Sequence, residues 1–164
     1  VRAVVVVQIL ALVVFLAVVF QVFGFAMGLR QAKRARERQR GAEEARGRRV
    51  VAEIPLEDGA VALFAEDERA FVWERATIDK ADVRGARLLL NGGILREFAR
   101  EPGVLPPPVP PEEFEGRERW EVLVFLGRGE VVRIACGTLR EGVSREVAGR
   151  IYSALERASP PHRP

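Results

Sequence analysis

Ala3–Leu29 is an apolar run of 27 residues with two polar side chains, Gln8 and Gln21, and no charge. A helix crossing ~30 Å of hydrocarbon needs about 20 apolar residues. Backbone polar groups in lipid must be satisfied within the segment, which leaves the helix as the single-segment solution. The run therefore predicts one N-terminal transmembrane helix, with residues 1–29 as an anchor. A cleaved signal peptide fits less well: its apolar stretch is about 7–15 residues and its basic residues come first. Here the basic residues follow.

Arg30–Arg49 holds nine basic and three acidic residues, a net of +6 in a chain of net charge +3, so the remainder is net acidic. The high isoelectric point belongs to this stretch. That excludes a generally basic, nucleic-acid-coating domain, and no nucleic-acid partner is expected. Arg30, Lys33, Arg34, Arg36, Arg38 and Arg40 crowd one end of the apolar run, whereas Arg2 stands alone at the other. The positive-inside rule predicts a single-pass protein of the cell (inner) membrane, with its N-terminus outside and its C-terminal domain cytoplasmic. The same six residues are the expected membrane-surface contacts, through attraction to anionic headgroups. Residues 30–49 then form a basic juxtamembrane linker. Ala17, Gln21, Gly24 and Gly28 are spaced 4, 3 and 4 and share one helix face. With the GxxxG match of Gly24 and Gly28, they predict a helix-pairing face and a homodimer through the transmembrane helix.

Residues 50–158 are expected to form a small cytoplasmic α+β domain, followed by a disordered tail at 159–164. Val50–Ile54 and Ala60–Phe64 flank Asp58-Gly59, a hairpin signal. Ala70–Thr77 follows a charged turn. Val83–Leu90 runs into Asn91-Gly92-Gly93, and Ile94–Arg100 is the return strand. Residues 61–76 and 94–100 also fit a helical template, because short apolar runs satisfy both periods. Residues 101–117 carry six prolines, three of them consecutive, and predict an extended loop. Trp120–Leu126 and Glu130–Cys136 flank Gly127-Arg128-Gly129 as a second hairpin. Ser144 is the expected N-cap of an amphipathic helix over Arg145–Arg157, whose stripe is Val147, Ala148, Ile151, Tyr152 and Leu155.

Seven short strands followed by one helix resembles the element order of pleckstrin-homology-like domains. The resemblance covers residues 50–157 and implies a β-rich domain, a PH-like barrel closed by its C-terminal helix, that binds or assembles rather than catalyses. A two-layer α/β sandwich with a smaller sheet is the alternative.

The chain has no phosphate-loop, dinucleotide or metal-ligand motif, and no cofactor is implied. The single Cys136 allows no internal disulfide. It alternates with Val132 and Ile134 and is expected in the core. Ser144 has no nearby base, since the single His162 lies in the tail. Asp79 and Asp82 could pair, and Glu112, Glu113 and Glu115 form an acidic cluster. No catalytic residue can be named, so a non-enzymatic function is expected. That function is a membrane-anchored binding, scaffolding or assembly module whose partners are the lipid bilayer and another membrane-associated protein. The alternative is a membrane-tethered sensor or regulatory subunit that binds a small ligand or lipid headgroup.

Overall fold

A computed structural model describes residues 2–56, 60–74, 76–108, 118–137 and 141–159. The chain forms two compact units, Val1–Gln39 and Arg40–Pro164. Helix α1 (Arg2–Ala45) runs through the first and into the second. It ends where Gly47 adopts a φ of +75°. The amide of Gly47 donates to the Glu44 carbonyl and that of Arg48 to the Glu43 carbonyl, the paired bonds of a Schellman cap. Glycine takes this left-handed conformation without the Cβ penalty.

The expected transmembrane helix is corrected here. Among the described residues, no helix is long and apolar enough to cross a membrane. Phe15, Phe20 and Phe23 of α1 are exposed, and from Arg30 onward the helix is charged. The single-pass topology and inner-membrane location, which required that helix, are withdrawn with it.

The second unit is built from antiparallel strands. One sheet has the order β1-β2-β3-β4, from β1 (Arg49–Pro55), β2 (Val61–Glu66), β3 (Ala70–Trp73) and β4 (Ala76–Asp79). The other has the order β6-β5-β7-β8, from β5 (Val83–Leu90), β6 (Gly93–Ala99), β7 (Trp120–Leu126) and β8 (Val131–Ala135). The expected seven-stranded, PH-like barrel is thus replaced by two separate four-stranded sheets. The alternative sandwich with a smaller sheet is also set aside, because the segments that fitted a helix are strands. Within 61–76, Val61–Glu66 is β2, Ala70–Trp73 is β3 and Ala76 begins β4. Phe71 and Trp73 face the core and Val72 is only half-buried, the two-residue alternation of a strand. Ala70–Thr77 is not one strand: it folds at Glu74, whose φ is +52°, and Trp73 pairs with Ala76.

The hairpin at Asn91-Gly92 has positive φ at both positions, as a type I′ turn requires, and pairs Leu90 with Gly93. Asn91 also accepts the Arg119 amide on its Oδ1 and donates its own amide to the Arg119 carbonyl, which fixes the entry to β7.

Helix α2 (Glu141–Ala158) packs on β5 and β7 of one sheet and β1 of the other. Val147, Ala148, Ile151, Tyr152 and Leu155 are all buried. They complete a core with Phe64, Phe71, Ile78, Val122, Val124 and Ile134. The helix begins three residues before Ser144, so Ser144 is not its N-cap but a buried residue of its second turn. The Asp58-Gly59 turn, residues 109–117 with Glu112, Glu113 and Glu115, residues 138–140, and 160–164 with His162 lie outside the described residues.

The first part of the Pro-rich segment crosses the outer face of the second sheet. A Cβ at Gly85 would collide with the Phe98 carbonyl oxygen and lie 2.8 Å from Leu105 Cδ2. Glycine is therefore required by close approach. Beside it, buried Arg87 donates to the Pro106 carbonyl at 2.6 Å and to Glu97 at 3.0 Å.

Candidate binding cleft

The core stripe of α2 leaves a polar stripe on its other side: Glu146, Arg150, Ser153 and Arg157, spaced 4, 3 and 4. These residues form one wall of an open cleft of about 430 Å³. The opposing walls are the first residues of β1, where Arg49 precedes Val50 and Val51, and Arg96 of β6. Gly149 gives the helix wall a bare patch, with nothing within 4 Å of where a Cβ would stand. Four arginines from three elements therefore line one space, against a single carboxylate in its lining, Glu146.

Each arginine is held differently. Arg150 pairs with Glu146 one turn earlier, and both are exposed. Arg96 pairs with Glu156 at 3.1 Å, also exposed, and its guanidinium lies 4.6 Å from the Tyr152 ring centroid. Tyr152 is buried, and Phe98 packs edge-on against it at 5.6 Å. Burial, then the Glu156 carboxylate, pushes the Tyr152 hydroxyl up to about 12, so it stays a neutral platform under Arg96.

Arg49 donates from Nε to Glu66 at 3.1 Å. Glu66 is buried and also accepts from Lys80 Nζ at 2.9 Å. Burial raises its pKa, but the hydrogen bonds and charges of Arg49 and Lys80 outweigh it and hold the carboxyl below its ordinary range. Glu66 therefore keeps Lys80 if Arg49 turns away. Arg157 has no ion pair or hydrogen bond among the described residues and sits in the last turn of α2, where a cation complements the helix dipole.

A second shallow cleft, about 360 Å³, is lined by Asp79, Ala81, Asp82 and Arg128. Asp79 accepts the Ala81 amide and Asp82 the Gly127 amide, so both carboxylates serve turns. Among the described residues, no group of three or more histidine, cysteine, aspartate or glutamate side chains could hold a metal. Cys136 is buried, and burial, then the Glu121 charge, pushes its thiol up to about 12.

The residues expected to contact a membrane surface all lie on α1. Arg30, Lys33, Arg34, Arg36 and Arg38 are exposed in the first unit, with Lys33 3.9 Å from Glu37 and Arg38 bonded to the Arg34 carbonyl. Arg40 belongs to the second unit and pairs with Glu44 at 2.9 Å. Ala17, Gln21, Gly24 and Gly28 are helical. Gln21 is exposed, and the surroundings of the other three lie outside what is described. Arg40, the one of these in the second unit, does not line the cleft. Its four arginines were not singled out in the sequence, although the polar stripe of α2 carries a readable helical period. No known protein family, curated protein or solved structure compared with the chain matches it.

Proposed function

We propose that the second unit is a binding module, of the sensor or regulatory kind, whose ligand is anionic and sits in the cleft between β1, β6 and α2. The observation that supports it is the convergence of Arg49, Arg96, Arg150 and Arg157 on one space of about 430 Å³. That volume suits a small molecule. The pairs Arg150–Glu146 and Arg96–Glu156 are exposed, and such pairs contribute about 0–1 kcal/mol, so a ligand can displace them at little cost. A scaffold would instead call for a contiguous apolar patch. Among the described residues, the exposed large apolar side chains of this unit, Leu56, Leu95, Val104, Val131 and Val143, lie on separate elements.

The test is thermal denaturation of the full chain with small anions at constant ionic strength. A ligand that binds only the folded state raises the melting temperature. The expected result is stabilisation by anions that disappears in the double variant Arg150→Glu, Arg157→Glu. Equal melting temperatures in every anion would reject the proposal.

A further inference from the structure

We infer that the cleft recognises a ligand bearing two neighbouring phosphoryl groups, of the diphosphate or bisphosphate type. This rests on the anion-binding reading above and narrows it. A carboxylate has two oxygens in one plane and is satisfied by one guanidinium fork. Here four arginines from three elements line one space, and their forks suit tetrahedral groups with several charged oxygens. The donors are also spread along the cleft. Arg150 and Arg157 are rooted seven residues apart, about 10 Å along the helix axis. Ser153 stands between them on the same stripe, a hydroxyl placed to bond an oxygen midway. Arg96 reaches Glu156 and so works at the Arg157 end. One anionic group would occupy one end of such a row; two adjacent groups use both.

The carboxylates define how the site fills. Glu156 holds Arg96 at 3.1 Å. A phosphoryl group that takes Arg96 leaves Glu156 to solvent, and Tyr152 keeps the guanidinium in place from below. Arg49 can turn in without leaving Glu66 unpaired, because Lys80 remains on that carboxylate. Arg157 has no described partner to give up.

The experiment is calorimetric titration of the full chain with pyrophosphate and, separately, with tricarballylate, a small carboxylate polyanion. Sedimentation with vesicles of phosphatidylcholine, with and without phosphatidylinositol bisphosphate, distinguishes a free phosphorylated molecule from a lipid headgroup as the source. Pyrophosphate should bind about tenfold more tightly than tricarballylate, the factor expected for one additional charged hydrogen bond. Arg157→Gln should weaken pyrophosphate about tenfold, and Arg157→Lys should restore part of the loss because it keeps the charge without the fork. Glu156→Gln, which releases Arg96, should tighten binding, a gain that misfolding cannot mimic. A bisphosphate-dependent increase in vesicle binding, lost in Arg157→Gln, identifies the headgroup as a source. Equal affinity for tricarballylate overturns the phosphoryl assignment and leaves the anion cleft standing. Binding of neither anion nor bisphosphate vesicles overturns both. Unchanged pyrophosphate affinity in Arg157→Gln, or no gain in Glu156→Gln, removes this cleft as the site.

Discussion

The guanidinium of Arg87 donates from Nη2 to the carbonyl oxygen of Pro106 at 2.6 Å, and this bond holds the Pro-rich segment against the second sheet. Arg87 is buried, with its Cζ 5.2 Å from the Phe125 ring centroid. A hydrogen bond to a charged group contributes about 1.5–3 kcal/mol. Arg87→Ala should destabilise the unit by about 2–3 kcal/mol, counting the lost packing on Phe125. It should also speed proteolysis between residues 101 and 108 before global unfolding. Cleavage there at the wild-type rate would show that the segment is held by something else.

Gly85 tests the same contact from the other side. A methyl group there meets the backbone oxygen of Phe98, which cannot rotate away as a side chain would. Gly85→Ala should cost about 1–3 kcal/mol, the range for overpacking a filled site. Chemical denaturation reads this directly. The substitution removes unfolded-state entropy and would stabilise by about 0.4–1 kcal/mol if the space were open, so even the sign of the change is informative.

Legibility followed the range of the interactions. The β7–β8 hairpin, the Asn91-Gly92 turn and the buried stripe of α2 were readable because neighbours in sequence set them. The β3–β4 turn was not, because Glu74 takes a positive φ without glycine, asparagine or aspartate to announce it. Ser144 misled because a serine before an apolar stripe looks like a cap, while three further residues join the helix. The cleft was half legible. Glu146, Arg150, Ser153 and Arg157 form a period, but only the packing of α2 against β1 brings Arg49 opposite them. Nothing local to Arg96 reports that it faces the same space.

The acid limb of the stability curve should carry a contribution from Glu66. Its carboxyl is held below its ordinary value of 4.5 despite burial, because Arg49 and Lys80 favour the charged form. A group whose folded-state pKa is depressed adds stability that is complete above the unfolded value. That stability is lost as pH falls through the folded value. Wild-type stability should therefore fall as pH drops below 4.5, and Glu66→Gln should flatten that part of the decline. Parallel curves for the two proteins would mean that the pair does not hold the carboxyl down.

Cys136 reports on the core without perturbing it, since it is the chain's single cysteine. The thiolate is the reactive species, and burial, then Glu121, raises the thiol to about 12. At neutral pH it should resist alkylating reagents until the unit opens. Its modification rate then gives the opening equilibrium. Rapid labelling of the native protein would contradict the burial of Cys136 beside Ile134 in the core.

The C-terminal helix supplies the sharpest contrast between structure and function, because one helix carries the core stripe on one face and the cleft wall on the other. Ile151 is fully buried against the sheets, and Ile151→Ala should cost about 2–5 kcal/mol through lost contacts and the cavity left behind. Val143 lies in the same helix but is 40% exposed, so Val143→Ala should stay within about 0.5 kcal/mol. Arg150→Gln removes only an exposed pair with Glu146 and should likewise leave the melting curve within about 0.5 kcal/mol while weakening anion binding. Denaturation and titration of the three variants form the check. If Ile151→Ala melts like wild type, the helix does not complete the core. If Arg150→Gln melts low and binds normally, its stripe serves the fold and the anion binds elsewhere.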